Sequence, residues 1–202
     1  MSTEPTSHPG ALSPAPGQTV GPFFHFGLIY PRSHEIVAPD TPGAVRLHGR
    51  VLDGAGQGVP DAMVELWHPD PEGAVPDAAG SFARDGHAAH THFTGWGRSA
   101  TDTEGRYEFW TLEPGPTQGG AAFFAAAVFA RGLMDRLLTR IYVPSTATSS
   151  DRFLESIPLG RGSTLIARRE DDGALRHDIV LQGEAETVFL TFTAAPGGPA
   201  SA

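Results

Sequence analysis

Apolar and polar positions alternate with a period of two over Val45, Leu47, Gly49 and Val51, which places these residues on one face of an extended strand. A glycine-rich turn from Asp53 to Gly58 then reverses the chain, and Ala62, Val64 and Leu66 line the returning strand. Segment 97–116 repeats the plan. Its Thr-Asp-x-x-Gly turn puts Gly105 at the position that tolerates positive φ, ahead of Tyr107, Phe109 and Trp110. Both units are expected to be hairpins. Phe123 to Phe129 is almost wholly apolar and short, the pattern of a strand buried on both faces. Leu137 to Val143 forms another strand, closed by Pro144. Ser150 to Ile157 predicts one short helix capped by Ser150 and stopped by Pro158. Two further strands follow, Arg176 to Leu181 and Thr187 to Phe192.

The stretches between these elements are equally informative. Residues 1–16 are rich in Pro, Ser and Ala without periodicity and predict a mobile arm, leaving 17–202 as one domain. Phe23, Phe24, Phe26, Leu28, Ile29 and Tyr30 form an apolar cluster broken by Gly21, Pro22 and Gly27, which suits an ordered loop pressed on a surface. Residues 68–95 are a long loop rich in Pro, Gly, Asp and Ala, of the kind that is functional or mobile. Strands predominate and no solenoid repeat is present. The expected fold is all-β: a two-sheet β-sandwich with long loops and at most short helices.

Composition narrows the function classes. The 202 residues are 40 % hydrophobic and include no cysteine, so a full core is available without disulfides and thiolate zinc sites are excluded. A net charge of −9 with no basic cluster argues against a nucleic-acid partner. No apolar run approaches the roughly 18 residues of a membrane span, and the start has no leader-like pattern, so a cytoplasmic protein is expected.

Six blocks, from GQTVGPFFHFGL through GRVLDG, VPDA and VELW, GWGRSATDTEGRYEFWTLEPG, FARGLMDRLLTRIYVP and STLIAR to HDIVLQGEAETVFLTF, carry a likeness over most of the chain. In this order they resemble the intradiol ring-cleavage dioxygenases, and among them the α chains of members built from two chain types. In that family's catalytic chains two tyrosines and two histidines hold ferric iron, hard anionic phenolates suiting Fe(III) and imidazoles completing the site. The corresponding positions here are Val75, Thr117, Phe123 and Ala125, none of which can bind iron, and the only tyrosines are Tyr30, Tyr107 and Tyr142. No metal is expected in this chain.

The resemblance implies that the Fe(III) belongs to a homologous β subunit, that the two chains form a hetero-oligomer of αβ units, and that the substrates are protocatechuate and O2, giving 3-carboxy-cis,cis-muconate. It also implies that Thr19, Gly21, Pro22 and Arg131 border the substrate in the partner's pocket. The residue chemistry suits those roles. Gly21 permits close backbone approach, Pro22 offers a fixed apolar edge, and the Thr19 hydroxyl can donate or accept. A guanidinium at Arg131 stays charged in a pocket and can hydrogen-bond anionic oxygens, which makes it the candidate catalytic residue. Spacing alone would read Arg131 as a surface ion pair and Gly21-Pro22 as an ordinary turn. Phe23 stands where many relatives carry tyrosine.

Two rival readings remain open. One is a self-sufficient metalloenzyme, for which His90-x-His92 with His87 nearby is the candidate ligand set. These histidines lie in the long loop without a completing carboxylate or tyrosine, and the favoured reading is structural or solvated imidazoles. The other is a non-catalytic binding or scaffolding module. Trp67, Trp96, Trp110 and Phe109 are expected to build the core or a subunit interface.

Overall fold

The computed structural model describes residues 27–76, 93–117, 120–158 and 160–192. Nine strands follow in chain order: β1 (Ala44–Leu52), β2 (Met63–Trp67), β3 (Trp96–Ala100), β4 (Arg106–Leu112), β5 (Phe123–Phe129), β6 (Leu137–Tyr142), β7 (Arg168–Arg169), β8 (Leu175–Arg176) and β9 (Ile179–Val180). One sheet has the order β4-β1-β8-β7, with β9 also paired to β1, and the other has the order β3-β2-β5-β6. Two sheets and almost no helix make the all-β sandwich expected from the alternation.

The two strand-turn-strand units are not hairpins. β1 pairs with β4 on one edge, Leu47 opposite Phe109, and runs parallel to β8 and β9 on the other. β2 pairs with β3 and β5 in the opposite sheet. Each unit therefore arches across the core, because both ladder edges of β1 and of β2 are already taken. Period two reports only which side faces inward, and both members of each arch do turn an apolar face to the same core. Leu47, Val51, Val64, Leu66, Phe109 and Phe124 are fully buried there, each stabilising by about 1.5–3 kcal/mol relative to exposure.

The two arches are closed by the same chemistry. Asp53 Oδ1 accepts from the backbone N–H of Ala55 and Gln57, and Asp102 Oδ1 from those of Glu104 and Arg106. Gly56 and Gly105 both sit at φ 76°, where an L side chain is strained. A buried hydroxyl then pins one arch to the other: Thr101 Oγ1 accepts from Ala62 N–H at 2.9 Å and donates to the Val59 carbonyl at 2.9 Å.

Three further expectations need correction. The short helix α1 (Arg152–Ser156) is capped by Asp151, whose carboxylate accepts from Phe153 and Leu154 N–H, while Ser150 ends a preceding 3-10 turn. β5 is buried on one face only; Phe124, Ala126 and Val128 face the core, and Ala125 on the other face is exposed. The tail strands are fragmentary. The run from Arg176 to Leu181 is interrupted at His177-Asp178, and 187–192 makes only a bridge from Leu190 to Leu138. That last segment straddles the two sheets, Thr187 N–H donating to Val180 in one and Leu190 N–H to Leu138 in the other, so neither ladder can lengthen.

Close approach explains the break in the tail. An added Cβ at Gly49 would lie 1.7 Å from the His177 carbonyl oxygen, which accepts from the Tyr107 hydroxyl at 2.7 Å. The His177 peptide leans onto β1 in the space that a side chain at 49 would fill.

Candidate functional site

Antiparallel register brings the outer face of the β3-β2-β5-β6 sheet into rows. Trp96 stands opposite Trp67, Trp67 opposite Ala125, and Ala125 opposite Arg140. In the next row Arg98, Glu65, Ala127 and Leu138 follow one another. The small side chains of Ala125 and Ala127 leave a slot between the bulkier residues of β2 and β6. The result is a groove of about 310 Å³, walled also by Phe123, Leu190 and Phe192. Trp67 and Phe192 are 44 % and 74 % exposed at its rim.

At one end of the groove the Arg140 guanidinium lies 4.2 Å from the ring centroid of Phe123 and 4.4 Å from that of Phe153. Arg140 Nη1 donates to the Tyr142 hydroxyl at 3.0 Å, and that hydroxyl donates to Asp151 Oδ1 at 3.3 Å. Burial of the phenol raises its pKa, and the Arg140 hydrogen bond works against that shift. Burial alone would raise the Asp151 carboxyl, but N–H bonds from Ala121, Leu154 and Phe153 together with Tyr142 outweigh it and hold the group ionised below its ordinary range. Arg140 was not singled out by sequence reasoning; the alternation along β6 was the signal that placed it on the outer face.

Of the four positions that the resemblance matches to the family's iron ligands, two line this groove. Phe123 and Ala125 lie on its β5 wall, Val75 is 59 % exposed in the loop after β2, and Thr117 follows β4. The loop carrying Val75 is tied to the segment before Thr117 by Gly115 N–H donating to the Asp70 carbonyl at 2.8 Å. These residues do not fit ferric iron. Phe123 and Ala125 offer no donor, and the space beside Phe123 holds a fixed cation. Among the described residues no group of three His, Asp or Glu side chains could hold a metal ion.

Arg131 lies in the turn just past the Phe129 end of β5, an end roughly 20 Å along the strand from Phe123. It is exposed, and its Nη2 pairs with Asp61 Oδ2 at 2.5 Å. Thr19, Gly21, Pro22 and Phe23, together with residues 1–16 and the histidines His87, His90 and His92, lie outside the described residues. The tryptophans and Phe109 divide: Phe109 and Trp96 are buried, Trp110 is half-buried, and Trp67 is open at the groove. Sequence reasoning also passed over His68. It is fully buried between the sheets, its Nδ1–H donating to the Pro69 carbonyl at 2.8 Å and its Nε2 accepting from the Thr111 hydroxyl at 2.7 Å. Burial lowers its pKa to about 4.

A family model described as a dioxygenase matches residues 32–183. With the relatives below, this shows that the chain belongs to the intradiol ring-cleaving dioxygenases, a family of non-haem iron enzymes. The chain is similar to the protocatechuate 3,4-dioxygenase alpha chain of Burkholderia cepacia, 33 % identical over 199 residues that cover 89 % of this chain and 98 % of that one. It is likewise similar to the alpha chain of Pseudomonas putida, 36 % identical over 204 residues, with 90 % and 98 % covered. The beta chain of the Burkholderia cepacia enzyme is 32 % identical over 158 residues, covering 69 % of this chain and 64 % of that one. Among solved structures, the dioxygenase domain of a carbohydrate-binding fusion protein from Streptomyces sp. SirexAA-E superposes with a TM-score of 0.53 at 22 % identity, over 85 % of this chain and 99 % of that one. An intradiol dioxygenase from Tetranychus urticae gives 0.51 at 14 % identity, covering 80 % and 88 %. These two support the fold alone.

Proposed function

We propose that this chain is the iron-free α subunit of a hetero-oligomeric protocatechuate 3,4-dioxygenase, lining the pocket of a homologous β subunit that holds Fe(III). One observation carries the reading: near full-length likeness to alpha chains coincides with side chains at all four ligand positions that cannot coordinate iron. The ring-cleaving chemistry, from protocatechuate and O2 to 3-carboxy-cis,cis-muconate, is then supplied by the partner's iron. This chain contributes position and charge.

Arg131 is the residue assigned the electrostatic role. Its pair with Asp61 is solvent-exposed, and pairs of that kind are worth about 0–1 kcal/mol, so release of the guanidinium toward a bound anion costs little. A guanidinium keeps its charge in a closed pocket, and its planar donor set can bind two oxygens of an anionic substrate at once. Thr19, Gly21 and Pro22 form the remaining wall, a hydroxyl beside a surface that lets an aromatic ring approach the backbone. The lack of cysteine suits the reducing cytoplasm in which such an enzyme would work.

Co-expression with an iron-binding beta-chain homologue tests the proposal. A coloured ferric complex containing both chains, active on protocatechuate when neither chain is active alone, is the expected result. Failure to co-purify, or stoichiometric iron with ring-cleaving turnover in this chain by itself, overturns it. In the complex, Arg131→Ala should lower turnover of protocatechuate with iron content unchanged; unaltered kinetics remove Arg131 from the site.

A further inference from the structure

The groove on the β3-β2-β5-β6 sheet is built for a ligand that the pocket-wall role does not use. Its floor is a slot one alanine wide, Ala125 between Trp67 and Arg140, continued by Ala127 between Glu65 and Leu138. Flat walls of this kind accept a planar ring and gain offset or edge-to-face contact with Trp67, Phe123 and Phe192. About 310 Å³ lies at the lower end of the range for small-molecule sites, roughly 300–1,000 Å³.

Charge decides the rest of the ligand. Phe123 and Phe153 cover the guanidinium of Arg140, and the Tyr142 hydroxyl is the one hydrogen-bond acceptor it has among the described residues. No carboxylate there is within ion-pair distance of it. Asp151 reaches it only through that hydroxyl, while its own oxygens are spent on backbone N–H groups. Glu65, the acid that lines the groove, is held by Arg98 at 2.5 Å. Among the described residues the groove thus carries one cation without a direct ion-pair partner, flanked by two rings, at the end of an apolar slot. The planar edge of a guanidinium is what an anion takes, and a carboxylate matches it with two parallel hydrogen bonds.

The geometry points to a binding site for a small aromatic carboxylate in this groove, ring over Ala125 and Ala127, carboxylate on Arg140. The site stands apart from the pocket wall at Arg131, at the opposite end of β5, and needs neither iron nor a partner chain. Binding alone is inferred: among the described residues no group of three His, Asp or Glu side chains there could hold a metal ion. The enzyme's own substrate and other ring acids share the required chemistry.

The test uses the full chain alone, titrated with 4-fluorobenzoate and followed by fluorine NMR and tryptophan fluorescence, with neutral 4-fluorobenzamide as the charge control. Saturable binding of the acid is expected, with the dissociation constant raised at least about tenfold in Arg140→Gln and for the amide. Ala125→Leu fills the slot at an exposed position and should abolish binding with the melting temperature retained, which keeps the test valid if Arg140→Gln folds poorly. Absence of saturable binding in the wild-type chain, or equal affinity for acid and amide or for wild type and Ala125→Leu, overturns the inference. So does self-association of the chain that Ala125→Leu abolishes while the acid fails to bind, since the groove would then seat a second copy. With no partner or iron present, each outcome is independent of the pocket-wall reading.

Discussion

Acidification from pH 7 to pH 5 should destabilise this chain through one buried imidazole. His68 follows β2 and reaches across the core to Thr111 on β4, so its ring ties the two sheets together. Its Nδ1 faces a carbonyl and must carry the proton, which leaves Nε2 as the acceptor and the ring neutral. Burial lowers its pKa from 6.5 to about 4. Between those values the unfolded chain takes up a proton that the folded chain refuses, so stability is complete above the unfolded value and falls as pH drops toward the folded one. The loss amounts to about 2 kcal/mol at pH 5 and approaches about 3 kcal/mol below pH 4. Urea unfolding of wild type and His68→Gln at both pH values measures it. The variant should be weaker at pH 7 for want of the inter-sheet tie, yet its deficit should shrink by about 2 kcal/mol at pH 5 because nothing at position 68 titrates. Parallel losses in the two proteins, equal within about 0.5 kcal/mol, would refute the assignment. His177, also buried and also lowered by burial, acts in the same direction in both proteins and cancels from the difference.

Gly49→Ala drives a methyl group into the His177 carbonyl and should cost more than about 2 kcal/mol in urea unfolding; a near-wild-type midpoint would show that the β8-β9 crossover can yield. Asp151→Ala orphans the N–H groups of Ala121, Phe153 and Leu154 and should cost about 2–4 kcal/mol at pH 7. The Asp151 contribution is present above its unfolded value of 3.8 and lost as pH falls through the lowered folded one, so the two proteins should converge in stability only in strong acid. Arg131→Ala should change the stability of the isolated chain by under about 1 kcal/mol, as its ion pair with Asp61 is exposed; a larger loss by calorimetry would mark it as structural and weaken its assignment to the pocket.

The alternation of Val45, Leu47 and Val51, and of Val64 and Leu66, was sufficient to place these residues in the core, because a half-buried strand has no other way to sort its side chains. It could not tell an arch from a hairpin, since both present the same inward face; only the competition for ladder edges decides, and that involves β4, β5 and β8 far along the chain. The helix cap moved by one residue because Ser150 and Asp151 are both competent caps and the carboxylate has three N–H donors within reach. Phe123 and Ala125 were legible as non-ligands from their identities alone. Arg140 was not legible, because its importance comes from Phe123, Phe153 and Tyr142 meeting around it, and three separate segments supply those rings.

Crossing arches have a kinetic cost. Neither Val45 to Trp67 nor Gly97 to Pro116 can zip up locally as it leaves the ribosome: Leu47 must wait for Phe109, and Val51 for Ile179, before its ladder closes. Such non-local pairing places the domain among slow folders, in the millisecond-to-second range, with strand edges bare until segment 179–190 arrives. Segment 179–190 is thus a keystone laid late, and its deletion should harm yield and solubility well before it harms any surface the finished protein presents.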